Sequence, residues 1–299
     1  MAGVSLRGAF TALVTPFSPD AEGVDLDALD ALVDAQIEAG ISGLVPCGTT
    51  GESPTLTEAE QVTIVRRVVA RARGRVPVMA GTGSLVTSKA VSASKAALEA
   101  GADAVMIVMP YYNKPTQAGL VEHCVAVARA VSGAPVVLYN VPGRTGIDLS
   151  ADATIAICER APNVVGLKDA TNHVLRCQEL TRRLGERLAI LCGDDALTVP
   201  MMSVGARGVI SVTSNVYPGA VARVCRLALE GAWEDARREH LALLPVHDAM
   251  FCEASPAPVK AALALRGRLS PSVRLPLVAA TDAARGRVAD AMDRYEARS

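Results

Sequence analysis

The residue with the clearest capacity for covalent chemistry is a lysine at the end of a predicted strand. The stretch Val164–Asp169 (Val-Val-Gly-Leu-Lys-Asp) is apolar or small up to Lys168, which predicts a buried strand ending there. Lysine is a rare choice in this chain, which has 5 lysines against 25 arginines. Burial lowers the pKa of a lysine amine from about 10.4, and a neutral amine attacks carbonyl carbon to form a Schiff base. The alternative is a lysine that extends into solvent or pairs with Asp169.

A Gly-Thr-Thr-Gly-Glu turn, Gly48–Glu52, follows the second apolar run of the chain. Its small residues, its backbone N–H groups and the hydroxyls of Thr49 and Thr50 suit a bound carboxylate or phosphate in front of a helix. The alternative is a tight turn in which a threonine is the N-cap of that helix. Taken alone, the turn leaves both interpretations open.

Three of the five tyrosines follow or end apolar runs, where strands end and catalytic hydroxyls are often placed. Tyr111 and Tyr112 follow the fourth run, and Tyr139 ends the fifth. A tyrosine in such a place commonly packs with its hydroxyl satisfied, which is the alternative to a catalytic role. Arg144 lies in the Pro-Gly-rich stretch Val141–Gly146, where its guanidinium could bind a carboxylate through two parallel hydrogen bonds. A solvated surface charge is the alternative for this arginine.

Two further polar stretches, Gly193–Asp195 and Ser211–Thr213, follow the seventh and eighth runs. Asp194 and Asp195 could form a catalytic carboxylate pair, although a helix N-cap followed by a first-turn acid is favoured. The four histidines and seven cysteines have no metal-ligand spacing. A lysine, hydroxyls, tyrosines and an arginine without a metal cluster indicate Schiff-base carbon–carbon chemistry on keto acids.

Composition narrows the class of protein. The chain has 299 residues, is 50% hydrophobic and 20% charged, and carries a net charge of −1, which favours a large core and argues against binding nucleic acid or an anionic membrane. Aromatic residues make up only 3% of the chain, too few for base-stacking surfaces. An odd number of dispersed cysteines, with no apolar run of membrane-spanning length and no basic signal sequence, predicts a cytoplasmic protein with reduced thiols.

These residues must be positioned by a repeating arrangement of strands and helices. Eight apolar runs are each followed by a helical pattern, and they are continuous rather than alternating, as in a parallel sheet covered on both faces. Eight such units predict an α/β fold, a (β/α)8 TIM barrel, in which the loops after the strands form the active site. The predicted strands are 9–15, 43–47, 76–81, 104–108, 135–140, 164–168, 188–192 and 208–212.

The predicted helices that follow are 25–39, 57–73, 87–100, 116–131, 150–160, 172–184, 195–204 and 218–230. A capping box formed by Thr57 and Glu60 marks the second of them. Gly81-Thr82-Gly83 is only a partial match to a dinucleotide-binding loop. After residue 230 the strands stop, and three helical segments remain, 233–250, 256–266 and 276–298. The sequence therefore predicts a catalytic barrel over 1–230 and a C-terminal helical region over 231–299 that packs on it.

Four stretches together resemble the dihydrodipicolinate synthases, also called 4-hydroxy-tetrahydrodipicolinate synthases, of the pyruvate-dependent class I aldolase superfamily. The resemblance runs from Gly8 to the C-terminal helices, in the same order and spacing. The turn at 48–52 and the strand lysine are shared across the superfamily. The more specific signals are the Tyr-Tyr-Asn stretch and the Pro-Gly-Arg-Thr-Gly stretch. The four stretches are Gly48–Glu52, Tyr111–Pro115, Tyr139–Gly146 and Gly166–Asp169.

The resemblance implies condensation of pyruvate with L-aspartate 4-semialdehyde in diaminopimelate and lysine biosynthesis. It implies that Lys168 forms an imine with pyruvate, so that no separate cofactor is needed, and that loss of a methyl proton gives the nucleophilic enamine. Tyr139 would transfer protons to and from the imine and the aldehyde oxygen. Thr49 would link Tyr139 to Tyr112, which the neighbouring subunit would supply.

Substrate contacts and assembly are also implied by the resemblance. Thr50 would hold the pyruvate carboxylate, and Arg144 would hold the carboxylate of the semialdehyde and help to position Tyr139. The backbone carbonyl of Ile210 and the rim residue Gly193 would complete the pocket. Family members are commonly homotetramers built from tight dimers, so a homotetramer is expected.

One departure from the family concerns inhibition by lysine. In lysine-inhibited members the effector site resembles a patch with histidines, an asparagine and a glutamate, and the matching positions here are Glu58, Gln61, Leu85 and Lys89. Leu85 cannot hydrogen-bond a carboxylate, and Lys89 would face the effector's amine. Little or no inhibition by lysine is therefore expected.

Two other functions are compatible with parts of this pattern. A sugar-acid lyase of the same superfamily needs a roomier pocket and usually lacks the arginine at position 144. A non-catalytic binding barrel would be favoured if Lys168, Tyr139 or Thr49 were missing, and all three are present.

Overall fold

The structure, a computed structural model, describes residues 4–298. Eight parallel strands form one sheet in the order β2-β1-β8-β7-β6-β5-β4-β3. The two end strands are joined by a parallel bridge between Leu44 and Val78, which closes the sheet into a barrel and confirms the predicted (β/α)8 fold. The strands are β1 Gly8–Ala12, β2 Gly43–Val45, β3 Met79–Gly81, β4 Ala104–Val108, β5 Val136–Asn140, β6 Val164–Asp169, β7 Ala189–Cys192 and β8 Gly208–Ser211.

Helices follow the strands, as the apolar patterns predicted. The capping box at the start of α2 is confirmed: the Thr57 hydroxyl accepts from Glu60 N, and the Glu60 carboxylate accepts from Thr57 N at 2.8 Å. The barrel helices are α1 Leu26–Glu38, α2 Glu58–Ala72, α3 Thr87–Glu99, α4 Gln117–Ala130, α5 Pro142–Thr145, α6 Ala151–Arg160, α7 Val174–Leu184, α8 Thr198–Ser203 and α9 Pro218–Leu229.

Alternation along the strands determines which side chains enter the barrel. In β5 the Tyr139 ring belongs to the cluster inside the barrel, so that Asn140 points out towards the helices. Phe10 fills the interior beside Gly43, where a Cβ would lie 2.2 Å from the Phe10 ring. Fully burying a side chain of this size contributes about 1.5–3 kcal/mol. A second, larger cluster packs the outer faces of the strands against the helices.

The C-terminal region consists of α10 Trp233–Ala249, α11 Ala257–Leu265 and α12 Asp282–Glu296. The helix expected over 276–298 was predicted too long at its start. The Thr281 hydroxyl accepts from Ala284 N as the N-cap, and the Glu253 carboxylate binds the backbone N–H and the hydroxyl of Thr281 at 3.1 and 2.6 Å. These contacts hold the chain before Asp282 outside the helix.

The division into a barrel over 1–230 and a helical region over 231–299 stays a prediction, and residues 1–3 and 299 lie outside the described part of the chain. The helices of the C-terminal region pack on the barrel, with α10 against α9. Over residues 4–298, no helix has both the length and the apolar character that a membrane span requires.

Candidate active site

Lys168 and Tyr139 lie side by side inside the barrel. They are register partners on β6 and β5, and the Lys168 Nζ atom is 4.2 Å from the centroid of the Tyr139 ring. Each residue is only 5% exposed. Asp169 faces the other way, and its Oδ1 accepts from the backbone N–H and the hydroxyl of Thr171 at 2.9 and 2.6 Å. Lys168 is buried, and no acid of residues 4–298 forms an ion pair with it, so the alternative of a lysine that extends into solvent or pairs with Asp169 is wrong.

Gly193 lies against the backbone that carries Lys168. Its N–H donates to the carbonyl of Asp169 at 2.7 Å, and a Cβ at position 193 would lie 2.7 Å from the Cβ of Ala170. Only glycine fits this close approach. Ile210 lies in β8, 1% exposed, with Phe10 as its register partner on β1 and its side chain inside the barrel. Both predicted pocket residues are therefore at the strand ends around Lys168.

The backbone of the turn Gly48–Glu52 after β2 is held in part by its own hydrogen bonds and by a neighbouring hydroxyl. Gly51 N donates to the carbonyl of Gly48 at 3.1 Å, and the Thr15 hydroxyl donates to the carbonyl of Gly51 at 2.7 Å. Thr50 is buried and Thr49 is half-buried. Within the described chain, neither threonine hydroxyl makes a hydrogen bond, and the N-cap of α2 is Thr57, so the alternative in which Thr49 or Thr50 caps that helix is wrong. Both hydroxyls are left available to a ligand.

Arg144 lies on α5, a one-turn helix formed within the Pro-Gly-rich stretch Val141–Gly146. Pro142 is suited to the first helical position because its φ is fixed and it has no N–H to satisfy. Gly146 ends the helix with φ +70, and its N–H donates to the carbonyl of Pro142 at 2.9 Å. The Arg144 side chain is exposed, which fits both interpretations of this residue, a carboxylate-binding group and a solvated surface charge.

A cavity of about 460 Å³ opens between the loops that follow β2, β3, β4 and β5. Thr49, Tyr111 and Arg144 all line it, so the structure brings one predicted hydroxyl and the predicted arginine to one space. Lys168 and Tyr139, buried in the barrel, are not among its lining residues in the described chain. The other polar lining residues are Ser53, Glu58, Gln61, Thr82, Ser84, Lys89 and Thr145.

Tyr112 is the predicted site residue that this single chain does not bring to the others. Its side chain is 88% exposed, and its backbone has φ +71, a conformation that is uncommon outside glycine. Among residues 4–298 no hydrogen bond joins Tyr112 to Thr49 or Tyr139. The predicted relay through these three hydroxyls therefore stays a prediction.

A polar network on the outer side of β5 and β6, built on the buried side chain of Arg176, was not predicted. The Arg176 Nε atom lies 3.5 Å from the Asp169 carboxylate, and its Nη1 lies 3.3 Å from the carboxylate of Asp148. The Asn140 amide also donates to Asp148 at 2.7 Å. The network joins the residues that follow Lys168 and Tyr139 to the end of the Arg144 stretch. Polar residues at outward-facing strand ends were the only sequence signal for it.

Asp194 and Asp195 have structural contacts rather than the arrangement of a catalytic pair. The Asp194 carboxylate accepts from Ala196 N at 3.0 Å, which confirms the predicted N-cap, and burial raises the pKa of this carboxyl. The carboxylate of Asp195 is buried, accepting from Val212 N at 2.8 Å and from the hydroxyl of Ser211. Asp195 thus fixes the end of β8.

Comparison with known proteins finds relatives that match nearly the whole length of the chain. The sequence model of the dihydrodipicolinate synthetase family matches residues 5–294 of the chain. A 4-hydroxy-tetrahydrodipicolinate synthase from Sorangium cellulosum is 64% identical over 298 residues, which covers 100% of this chain and 99% of that protein.

Solved structures match over similar lengths. The crystal structure of dihydrodipicolinate synthase from Aquifex aeolicus is 41% identical with a TM-score of 0.94, and the match covers 97% of this chain and 98% of that one. The chloride-inhibited dihydrodipicolinate synthase from Acinetobacter baumannii, solved in complex with pyruvate, is also 41% identical with a TM-score of 0.95. That match covers 98% of this chain and 99% of the other.

Proposed function

The chain belongs to the dihydrodipicolinate synthetase family, and on that premise we propose that it condenses pyruvate with L-aspartate 4-semialdehyde, the reaction of the 4-hydroxy-tetrahydrodipicolinate synthases. The observation that carries the proposal is the buried amine of Lys168, which has no acidic partner in the described chain and lies 4.2 Å from the Tyr139 ring centroid. A lysine without a counter-ion in a largely apolar interior is suited to act as a nucleophile.

Lys168 starts the reaction in this proposal. Its Nζ attacks the keto carbon of pyruvate, and loss of water gives an imine. The protonated imine draws electrons from the methyl carbon, so that loss of a methyl proton gives an enamine, which attacks the aldehyde carbon of the second substrate. The protonated imine is the electron sink of the reaction, so no separate cofactor is proposed.

Tyr139 lies beside the reacting amine and is proposed to transfer protons there. Its ring adjoins Lys168, and its phenol is both donor and acceptor. It would give a proton to the carbinolamine hydroxyl that leaves as water, and later to the aldehyde oxygen as the carbon–carbon bond forms. Thr49 is proposed to connect Tyr139 to Tyr112 of the partner subunit.

The remaining predicted residues are proposed to recognise the two carboxylates. Thr50, with its free hydroxyl in the turn after β2, would bind the pyruvate carboxylate, and Gly193 and the Ile210 carbonyl would border the pocket at the ends of β7 and β8. Arg144 would bind the carboxylate of the semialdehyde, because it lines the same cavity as Thr49. This arginine is usually lacking in the sugar-acid lyases of the superfamily.

Assembly is part of the proposal because one chain leaves the site incomplete. Tyr112, 88% exposed on the loop after β4, has room to reach a neighbouring subunit. We therefore expect a dimer in which each Tyr112 completes the other subunit's site. The homotetramer and the cytoplasmic location are proposals that depend on the family resemblance and on the cysteine usage.

Steady-state assays with chosen aldehydes test the proposed reaction. The purified chain should consume pyruvate and L-aspartate 4-semialdehyde together and release a condensed product that mass spectrometry identifies. N-acetylmannosamine and pyruvate, the pair formed by a sugar-acid lyase, should give a rate at least 100-fold lower. Turnover of the sugar pair at equal or higher rate would replace the proposed function with that of a lyase, and inactivity with both pairs would favour a binding protein.

A further inference from the structure

A fully buried ion pair joins the Gly48–Glu52 turn to the C-terminal helices. Glu52, the last residue of the turn, is 1% exposed, and Lys260 of α11 is 0% exposed. The Lys260 Nζ atom lies 2.6 Å from the Glu52 Oε1 atom, although the two residues are 208 positions apart in the sequence. A charge buried this completely is retained only when its partners are well placed. The pair therefore fixes the position of α11 relative to the turn.

The C-terminal region holds both oxygens of the Glu52 carboxylate. The backbone N–H of Arg274 donates to Oε2 at 3.0 Å, while Lys260 also donates to the carbonyl of Ser272 at 2.7 Å. Phe17, which is fully buried, has the Lys260 ammonium 4.2 Å from its ring centroid and the Arg274 guanidinium at 4.4 Å. Cation–π contacts of this kind strengthen when they are desolvated.

Arg274 extends the contact beyond the turn. Its guanidinium binds both oxygens of the Glu60 carboxylate at 2.6 and 2.9 Å, and it donates to the carbonyl of Thr55 at 3.1 Å. These residues lie in the segment that leads from the turn into α2. The C-terminal region thus contacts this path at three points, Glu52, Thr55 and Glu60.

The turn itself needs external support. Glu52 has φ +56, a left-handed conformation that costs energy for a residue with a Cβ. Within residues 4–298 the hydroxyls of Thr49 and Thr50 have no hydrogen bonds, so the backbone of the turn alone sets their positions. Thr15 holds the carbonyl of Gly51 on one side, and Lys260 holds Glu52 on the other. The two threonines directly precede the residues that are held.

We propose that Lys260 and Arg274 are positioning residues of the active site, which set the backbone of the Gly48–Glu52 turn and through it the hydroxyls of Thr49 and Thr50. The C-terminal region is then a working part of the catalytic centre and not an accessory to the barrel. This inference rests on the proposed function for the roles of the two threonines, whereas the coupling between α11 and the turn does not depend on the reaction.

The direct test is the double variant Glu52→Gln/Lys260→Met, which removes both charges together and leaves neither one buried alone. If the pair positions the threonines, kcat/KM for pyruvate should fall at least 10-fold, with a rise in KM. Saturating pyruvate should still be trapped on Lys168 by borohydride, because the amine is unchanged. Wild-type kcat and KM in the folded double variant would overturn the proposal, however much its stability changed.

Arg266→Met is the matched control. Arg266 also lies at the end of α11, where it pairs with Glu296 and donates to the carbonyl of Val216, away from the turn. This variant should lose stability and keep wild-type kcat and KM. An equal fall in kcat/KM for Arg266→Met would mean that general loosening of the C-terminal region explains the effect, which would also overturn the proposal.

Hydrogen–deuterium exchange on the wild-type chain tests the coupling without any variant that must fold. In urea below the unfolding transition, peptides covering 46–56 and 257–274 should gain exchange together. If 257–274 exchanges while 46–56 stays protected, the coupling does not exist. A wild-type chain that condenses nothing would instead refute the proposed function, and the exchange result would still report on the coupling.

Discussion

Arg176 and Asp169 form a buried ion pair across the outer side of the strand that carries Lys168, with Nε 3.5 Å from Oδ2. The side chain of Arg176 is 9% exposed and that of Asp169 is 0% exposed. The same guanidinium reaches Asp148, two residues after the stretch Val141–Gly146 that carries Arg144. One arginine therefore connects the strand end of the nucleophile to the chain just after the proposed carboxylate-binding group.

Arg176→Met should be strongly destabilising. It leaves Asp169 as an uncompensated buried charge, and removing one partner of a buried pair costs about 3 kcal/mol or more. Urea unfolding monitored by circular dichroism measures the change. Arg183→Met is the control, because Arg183 pairs with the exposed Asp152. This variant should lower the free energy of unfolding by less than about 1 kcal/mol. Equal effects in the two variants would contradict the importance of the Arg176 network.

The contact between Arg274 and Glu60 predicts a pH-dependent stability. The hydrogen bond from Arg274 lowers the pKa of Glu60 from 4.5 to about 2. Because the folded-state pKa is below the unfolded one, the stabilisation is present above about pH 4.5 and is lost as the pH falls towards 2. Glutamine at position 60 can keep the capping box. Glu60→Gln should therefore lower the free energy of unfolding by about 1–3 kcal/mol at pH 7, and by progressively less below pH 4.5. A cost that does not change between pH 7 and pH 3 would contradict this account.

Arg144→Ala should separate the two substrates. If Arg144 binds the carboxylate of the semialdehyde, its loss should raise KM for that substrate about 10- to 100-fold, which corresponds to about 1.4–2.8 kcal/mol. The KM for pyruvate should change less than about 3-fold on the same reasoning. Steady-state kinetics with each substrate varied in turn measures both values. A larger effect on pyruvate would assign Arg144 to the other carboxylate.

Mixing two inactive variants tests the shared site. In a mixed dimer of Tyr112→Phe and Lys168→Ala chains, one of the two sites has both wild-type residues if Tyr112 crosses the interface. Random exchange at equal concentrations should therefore restore about a quarter of the wild-type activity, since half of the dimers are mixed. Native mass spectrometry verifies the exchange. No gain over the parent variants after verified exchange would place each site within one chain.

Lysine should inhibit weakly or not at all. Glu58, Gln61 and Lys89 line the same cavity as Tyr111, and Leu85 is 37% exposed in the loop before α3. Lys89 offers a positive charge where the effector's amine would need an acid, and reversing such a contact changes the interaction by several kcal/mol at about 4 Å. Initial rates with millimolar lysine measure the inhibition, and calorimetry measures the binding. Strong inhibition with measurable binding would mean that Glu58 is enough to hold the amine.

Local sequence was enough to predict the barrel and to select most of the candidate site residues. In a parallel barrel all strands end on the same face, so residues that follow apolar runs, such as Thr49, Tyr139 and Lys168, must gather there. The family resemblance added the roles of Arg144 and Tyr112, which their local sequence left open. The structure brings Thr49 and Arg144 to one cavity and Tyr139 to Lys168.

The long-range contacts could not be predicted in the same way. The apolar residues around Lys260 indicate a buried helix, but the partner of that lysine could not be predicted, because an ion pair between residues 208 positions apart leaves no periodic signal. The start of α12 was also misplaced, since the contact between Glu253 and Thr281 that fixes it depends on tertiary structure. The supply of Tyr112 by a second subunit stays a prediction, because a contact between subunits likewise leaves no local pattern in the sequence.

Borohydride trapping with pyruvate tests the central claim most directly. The wild-type chain, incubated with pyruvate and reduced, should gain the mass of one pyruvate less water plus two hydrogens, and peptide mapping should place it on Lys168. The Lys168→Arg variant should gain nothing, because arginine stays protonated and forms no imine. An unmodified wild-type chain, or an adduct on any of the other four lysines, would contradict the proposed mechanism.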